Sequence, residues 1–328
     1  MRIGPDIMMN INSILSQWTL GISMGIELEE YKLTRDNTEA SRIVRASTQP
    51  NTLRAFAHII EHSSVTINPA KISSNRINNV GDALEGYIKD AYAGLLQSGL
   101  SDSEKDSVYN KVFSWLGNSS NPPDSILRGG DGIEVKKIQS LCGGIALNSS
   151  SPKNKLYASD TRVATGAKTA ENWTEKDIVY AIGSVIDQDL KRLWLIYGDC
   201  YAASKEVYDK MASAIADGVN RIPDIEFQTT NELGRVNKVD PLGITALRVR
   251  GMWHIDNPSR VYAELVSDTA NRQFYVLMRE EKYQSFPAID RLTLENLSLA
   301  GYDNQCIKIR DPDNPAHLIH ARFIKYEL

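Results

Sequence analysis

A run of four turn-forming residues, GGDG at positions 129–132, separates two short segments whose composition favours β-strands. The segment before it is SILR at residues 125–128, and the segment after it is IEVKKI at residues 133–138. Because glycine adopts the backbone angles that tight turns require, this pattern predicts a β-hairpin. Side chains alternate between the two faces of a strand, so Glu134 and Lys136 should share one face of the hairpin.

Asp124 follows Pro123 directly before this hairpin, and the predicted pairing would bring its carboxylate close to Glu134 and Lys136. Two carboxylates and an amine in this arrangement can bind a divalent metal ion and promote attack on a phosphodiester. The chain contains four acid-x-Lys triplets, but only the triplet at Glu134 follows a Pro-Asp pair across a glycine turn. The pattern therefore indicates a built site, with a solvated strand face as the alternative interpretation.

The three residues Asp124, Glu134 and Lys136 resemble the motif of the PD-(D/E)xK nuclease superfamily, to which most type II restriction endonucleases belong. Beyond the motif, the chain is similar to the branch of that superfamily that cuts GGCC, over about residues 75–255. The similar segments are residues 78–85 (NNVGDALE), 129–137 (GGDGIEVKK), 146–150 (ALNSS), 197–201 (YGDCY) and 232–243 (ELGRVNKVDPLG).

The resemblance implies an α/β fold with a restriction-endonuclease-like core, in which a mixed sheet is flanked by helices. It also implies additional parts on either side of this core. On this basis we expect a helical N-terminal region at residues 1–74, the nuclease core at residues 75–222, and a DNA-recognition region at residues 223–328.

The periodicity of apolar residues predicts the elements of this core. Helical spacing indicates one helix over residues 53–62 and another from about Asn79 onward. Residues 177–186 and 190–197 predict a pair of strands, and the continuous apolar run in the second is typical of a strand buried on both faces. Ser204 is expected to cap a helix that runs to about residue 219.

The resemblance also implies a role for each residue of the motif. Asp124 and Glu134 would bind Mg²⁺ through hard carboxylate oxygens. Lys136 would orient or deprotonate the attacking water and offset charge at the phosphorus. Glu85, on the helix before the hairpin, would complete the metal site, and a surface acid is the alternative interpretation.

A formal net charge of −4 counts against a protein that coats DNA without sequence preference. It does not exclude a site-specific nuclease, because basic residues need only line the cleft that binds DNA. The polar stretch at residues 148–173 is expected to form a loop against phosphates. Arginines in and after the segment at residues 232–243 would read guanine, although a solvated surface is the alternative in both stretches. The residues expected to bind DNA are Lys137, Lys153, Lys155, Arg235, Lys238, Arg248 and Arg250.

A palindromic site such as GGCC implies a homodimer on double-stranded DNA, in which each protomer cuts one strand. A companion DNA methyltransferase would act on the same site without forming a stable complex with this chain. Three scattered cysteines without a CxxC pair suit the cytoplasm, and no apolar run is long enough to predict a membrane span. Two alternatives remain open: a repair or recombination nuclease that reads DNA structure, and a DNA-binding module without catalysis.

His58, Glu61 and His62 match the H-x-x-E-H pattern of certain zinc proteases. Histidines four residues apart share a helix face and can bind zinc. A protease would need a third protein ligand that the sequence does not identify, and such histidine pairs arise readily on helices. Zinc proteolysis is therefore not expected, and His317 and His320 are expected to be surface residues.

Overall fold

The computed structural model describes residues 49–63, 76–117, 121–267 and 269–328, with the backbone alone for residues 76–82. The predicted N-terminal helical region therefore lies mostly outside the described residues. The helices are α1 (Thr52–Glu61), α2 (Arg76–Ala93), α3 (Asp102–Val112), α4 (Thr165–Thr169), α5 (Lys205–Asn220), α6 (Pro258–Val261), α7 (Glu280–Ser285) and α8 (Ala288–Glu295). The strands are β1 (Phe113–Trp115), β2 (Ser125–Leu127), β3 (Gly132–Ile138), β4 (Ile145–Asn148), β5 (Lys155–Tyr157), β6 (Glu175–Ile186), β7 (Asp189–Tyr197), β8 (Gly234–Asn237), β9 (Ala246–Val249), β10 (Trp253–Ile255), β11 (Gln273–Arg279), β12 (Tyr302–Arg310) and β13 (Leu318–Glu327).

A nine-stranded mixed sheet forms the centre of the fold. Eight strands follow the order β1-β2-β3-β6-β7-β11-β13-β12, and β5 pairs with β6 beside this path. The pairs β3–β6 and β7–β11 are parallel, whereas the other neighbours are antiparallel. Helices flank this sheet, which confirms the expected α/β fold of the restriction-endonuclease type. Two small two-stranded sheets, β4–β10 and β8–β9, complete the described strands.

Strands β6 and β7 confirm the predicted strand pair. Asp187 and Gln188 connect them with positive φ angles of 50° and 67°, which is the geometry of a tight hairpin turn. Leu195 of β7 packs into the same core as α1 and α2, whereas Trp194 and Ile196 pack into a second core on the opposite face. Because both faces are covered, this part of the strand is apolar at every position.

Helix α2 contacts β3, so it lies next to the hairpin of β2 and β3. It begins at Arg76, earlier than the predicted start near Asn79. The predicted apolar stripe is confirmed at Leu84, Ile88 and further positions along the helix, where the side chains are buried. The packing of this stripe against the sheet fixes the rotation of α2 and hence the direction of the polar residues beside it.

The expected boundary at residue 222 is wrong for the central sheet. Strand β11 pairs in parallel with β7, with Gln273 opposite Arg192 and Leu277 opposite Ile196, and β13 and β12 extend the same sheet. Strands β11, β12 and β13 therefore belong to the sheet that carries the hairpin. The apolar side chains of β11 are buried on both faces, which stabilises this strand inside the sheet. Within the expected recognition region, residues 223–255 lie outside the large sheet. Their strands β8, β9 and β10 belong to the two small sheets.

The polar stretch at residues 148–173 is also more ordered than the predicted loop. It contains strand β5 and helix α4, and the side chains of Leu156 and Ala167 are fully buried. These apolar anchors hold the stretch against the sheet, so it does not present a free polar loop.

Candidate active site

Strands β2 and β3 form the predicted hairpin, with Ile126 opposite Gly132. Gly129 has a φ angle of 66°, a left-handed conformation that glycine adopts at little cost. A side chain at Gly132 would collide with Leu156 of β5. The two glycines thus permit both the turn and the close packing of the hairpin onto the neighbouring strand.

Asp124 lies directly before β2, where the hairpin brings its carboxylate against β3. Its Oδ2 atom accepts a hydrogen bond of 2.6 Å from the backbone N–H of Val135. On its other side, the backbone of Asp124 approaches Gly117 so closely that a side chain at Gly117 would collide with the Asp124 carbonyl group. The hydrogen bond therefore holds the carboxylate against β3 at Val135, the residue between Glu134 and Lys136 in the chain.

Glu134 and Lys136 project from the same face of β3, as the alternation of side chains predicts. The Lys136 ammonium donates a hydrogen bond of 2.6 Å to Oε1 of Glu134. The other carboxylate oxygen, Oε2 of Glu134, is buried and makes no hydrogen bond with the described residues. A buried carboxylate oxygen without a partner is costly, so this atom marks a position where a cation or a donor is expected.

The electrostatics of the cluster reflect the crowding of its acids. Burial, and then the negative charge of Glu134, raise the pKa of Asp124 to about 7, although Lys136 and the Val135 N–H oppose this shift. For Lys136, burial lowers the pKa, but the charges of Glu134, Asp124 and Glu85 outweigh it and raise the pKa above its usual value. The negative charge of Glu134 thus disfavours the charged form of Asp124, and a bound cation would offset this effect.

Glu85 lies on α2 within electrostatic range of this cluster. Its negative charge contributes to the raised pKa values of both Asp124 and Lys136. Its side chain is about one third exposed, and Oε1 accepts a hydrogen bond of 2.6 Å from Lys89 one helical turn away. Glu85 therefore sits at the edge of the site with one carboxylate oxygen already engaged.

The residues of the cluster fit a small divalent cation. The candidate ligands of Asp124, Glu134 and Glu85 are all carboxylate oxygens, the donor type that Mg²⁺ prefers. A cation would give Oε2 of Glu134 a partner and offset the repulsion that raises the pKa of Asp124. The arrangement can hold Mg²⁺ while the Lys136 ammonium remains beside it.

A buried polar network behind the hairpin turn was not predicted from the sequence. Lys282 of α7 donates hydrogen bonds of 2.7 Å to Asp131 and 2.8 Å to Asp177, and the hydroxyl of Tyr197 donates one of 2.7 Å to Asp131. Thr52 of α1 bonds Tyr197 in turn, at 2.9 Å. Lys282 belongs to another acid-x-Lys triplet, but its partners lie more than a hundred residues away, which local patterns do not reveal.

Two of the expected phosphate contacts are engaged within the protein. The Lys153 side chain is buried, and its ammonium pairs with Asp160. This corrects the expectation of a free phosphate contact at Lys153, because its charge is neutralised in the interior. The Lys155 side chain is about one third exposed, and its ammonium lies 2.9 Å from Oε1 of Glu175. Lys137 lies half-buried on β3, where burial lowers its pKa.

The remaining basic residues converge on the small sheet of β8 and β9, which we call the basic arm (residues 234–250). Arg235 of β8 lies directly opposite Arg248 of β9. Arg248 and Arg250 both pair with Glu232, whereas Arg235 donates a hydrogen bond of 3.0 Å to Asn237. Lys238 follows β8 and is exposed, as are Arg248 and Arg250. The arm therefore brings together the four basic residues that the sequence had indicated as DNA contacts.

Comparisons with known proteins identify the family to which the chain is similar. The family model of the NgoPII restriction endonuclease matches residues 50–311. The type II restriction enzyme NgoPII of Neisseria gonorrhoeae is 43% identical over 283 residues, which cover 85% of this chain and 100% of that enzyme. No solved structure matches the chain. Within the described residues, no helix is both long and apolar enough to cross a membrane.

Proposed function

The chain belongs to the NgoPII restriction endonuclease family, and on that premise we propose that it cuts DNA with a PD-(D/E)xK site made of Asp124, Glu134 and Lys136. It is a type II site-specific deoxyribonuclease, an enzyme class that acts on double-stranded DNA. The observation that carries the proposal is the convergence of three groups: the Val135 N–H holds Asp124 against β3, and Glu134 holds Lys136 at 2.6 Å.

Each group of the site has a distinct task in this proposal. Asp124 and Glu134 would hold Mg²⁺, with Glu85 as a further acid at the edge. Among the described residues, Oε2 of Glu134 has no other partner. When bound, Mg²⁺ neutralises charge at the phosphate and makes nearby water more acidic. The Lys136 ammonium, fixed by Glu134, orients the attacking water and offsets the charge that develops at the phosphorus as the leaving oxygen departs.

Plasmid cleavage under controlled metal conditions tests this site. Cleavage should stop when EDTA is added and return with Mg²⁺ or Mn²⁺. The Asp124→Ala and Glu134→Ala variants should not cleave in Mg²⁺ but should still bind DNA in Ca²⁺, since their basic arm is unchanged. Cleavage at the full rate in EDTA would overturn the metal assignment.

The proposed target is a short palindrome, GGCC, which the basic arm would read. Support comes from the four basic residues that the arm brings together, because arginine pairs with guanine O6 and N7 in the major groove. Sequencing the ends cut from a random-site library tests the target. Ends without GGCC enrichment would refute this specificity, and a nuclease that reads DNA structure would give that result.

A palindromic target supports a homodimer, and helix α5 offers a surface for it. None of its residues is buried by the described parts of the chain. Val207, Met211 and Ile215 recur every four residues and expose about half of their area, so they form one apolar stripe. We assign this stripe to contact with a second copy of the chain. Sedimentation equilibrium showing a monomer at all accessible concentrations would contradict it.

The proposal includes a companion DNA methyltransferase that protects the same site without a stable complex. Loss of host viability when the methyltransferase gene is deleted alone, but not when both genes are deleted, would support this pairing. The three cysteines are free thiols in the structure, which supports the cytoplasm as the working compartment. Recovery of the protein with the periplasmic fraction of fractionated cells would contradict that location.

A further inference from the structure

A second cluster of potential metal ligands lies on α1, apart in sequence from the nuclease hairpin. His58 and Glu61 lie in the last turns of this helix, and His62 directly follows it as the C-cap residue. Each offers a ligand atom, and these atoms all lie within 4.8 Å of one another. The three side chains range from buried at His58 to exposed at Glu61, so the cluster opens from the core towards solvent.

His58 is the strongest sign that the cluster has a ligand. Only 5% of its surface is exposed, and neither ring nitrogen makes a hydrogen bond of good geometry with the described residues. One side of the ring approaches the backbone of Ala91 on α2. Buried imidazole nitrogens are normally hydrogen-bonded, because a missing partner destabilises the folded protein. A metal ion at the other nitrogen would supply the partner that the described residues do not provide.

His62 is oriented in the way that metal-binding histidines usually are. Its Nδ1 atom lies 3.0 Å from the carbonyl oxygen of His58. When Nδ1 donates a hydrogen to that oxygen, Nε2 carries the free lone pair, and this arrangement also holds the ring in place. The rings of His58 and His62 are only 4.4 Å apart between centroids, so a single ion can reach both.

We propose that His58, Glu61 and His62 bind one Zn²⁺ ion, in a site separate from the one that cuts DNA. Two imidazoles and one carboxylate are donors that suit zinc, whereas Mg²⁺ prefers oxygen ligands alone. Glu61 is the third ligand within the cluster, so it is not free to act as the base of a zinc protease. The three side chains leave a fourth position for water. A bound ion would hold the last turn of α1, whose core residues pack beside α2.

Cobalt provides a direct test, because Co²⁺ absorbs strongly in visible light when four ligands surround it. The metal-free full chain is titrated with Co²⁺ in excess Mg²⁺, which keeps the carboxylate site of the nuclease filled. A strong absorption that saturates at one equivalent and is displaced by Zn²⁺ is the expected result. Wild-type protein without this absorption would overturn the proposal.

Variants then locate the ion. His62→Gln should abolish the absorption and Glu61→Gln should weaken Co²⁺ binding at least tenfold, while circular dichroism verifies that both variants fold. His58→Gln is less informative alone, because His58 is buried and its loss can unfold α1. His320→Gln is the matched control, since His320 is exposed beside Cys306 and should leave the titration unchanged.

The two metal sites are distinguished by one further variant. Asp124→Ala should keep the cobalt absorption, because the nuclease site does not contribute to it. An absorption lost in Asp124→Ala and kept in His62→Gln would overturn the zinc site. As a second readout, Zn²⁺ should raise the melting temperature of the wild type but not that of His62→Gln, since a ligand stabilises only the state that binds it.

Discussion

The backbone N–H of Val135 donates a 2.6 Å hydrogen bond to Oδ2 of Asp124, and this bond joins the residue before β2 to the middle of β3. Val135 stands between Glu134 and Lys136 in the chain, so the bond sets the distance from Asp124 to both. A hydrogen bond to a charged group contributes about 1.5–3 kcal/mol, which is enough to hold the carboxylate in place. The geometry of the candidate site is thus built into the hairpin itself.

Glu85 should contribute to cleavage less than the hairpin acids do. Glu85→Gln is expected to lower the single-turnover rate by roughly tenfold, the scale found for residues that support a metal site from its edge. The reason is that Lys89 already engages one of its carboxylate oxygens. Asp90→Asn is the control on the same helix, because Asp90 instead pairs with Lys105. A wild-type rate for Glu85→Gln at limiting Mg²⁺ would remove Glu85 from the site.

Lys282 should stabilise the fold through the turn of the hairpin. Lys282→Met leaves Asp131 and Asp177 without their ammonium partner in a largely buried setting. Breaking such a pair costs about 3–5 kcal/mol when burial is complete, and we expect about 2–3 kcal/mol here because Lys282 is partly exposed. Urea unfolding measures the loss. Lys325→Met, which removes a looser pair with Glu327, should cost under about 1 kcal/mol, and an equal loss in both variants would contradict this account.

Asp199 should make stability depend on pH in a defined direction. Burial raises the pKa of Asp199 from its usual value of 3.8 to about 6, although the charge of Arg279 opposes this shift, and its Oδ1 atom has no hydrogen bond with the described residues. The folded state therefore binds the proton more tightly than the unfolded state does. The charged form lowers stability above pH 6, and this penalty disappears as the pH falls from 6 to below 4.

Asp199→Asn removes the charge and should therefore stabilise the protein at pH 8, by on the order of 2 kcal/mol. The gain should shrink as the pH falls towards 4, where the wild-type carboxyl is neutral. Urea unfolding of both proteins across this range measures the difference. A gain that is the same at pH 8 and pH 4 would show that the charge of Asp199 is not its cause.

The parts of the fold that could be predicted are those whose signal is local. The GGDG turn and the Asp187–Gln188 turn each connect strands that are neighbours in sequence, so turn chemistry and alternation were sufficient. The proximity of Asp124 to Glu134 followed from the same hairpin.

The parts that could not be predicted depend on partners distant in sequence. Strand β11 joins the sheet by pairing with β7, which lies about eighty residues earlier in the chain. The sequence of β11 predicts a strand but does not indicate which strand it pairs with. The pairing of Lys282 with Asp131 is equally remote. Lys153 looked like a solvated lysine because the sequence does not show that a nearby acid, Asp160, folds back to bury it.

The basic arm should lose DNA affinity unequally when its arginines are removed. Arg235 forms no ion pair with the described residues, whereas Arg248 is already neutralised by Glu232. We expect Arg235→Ala to weaken binding more than Arg248→Ala, measured in Ca²⁺ on GGCC and on mismatched duplexes. A loss of roughly 1–3 kcal/mol confined to one base pair indicates guanine reading, and a uniform loss with a lower salt slope indicates a phosphate contact.

Arg260→Ala is the control for the arm, because Arg260 is exposed and lies on α6 rather than on β8 or β9. It should bind both duplexes as the wild type does. Equal losses for Arg235→Ala and Arg260→Ala would show that general positive charge, and not the arm, governs binding.

Single-turnover cleavage of a GGCC duplex by Lys136→Ala in Mg²⁺ tests the central claim most directly. Lys191→Ala is the matched control, because Lys191 also ends an acid-x-Lys triplet and pairs with the acid of that triplet, Asp189, at 2.8 Å. We predict that Lys136→Ala loses at least about a hundredfold in rate, while it keeps its fold and its DNA binding in Ca²⁺, and that Lys191→Ala cuts at the wild-type rate. A Lys136→Ala enzyme that cuts as fast as the wild type would contradict the account.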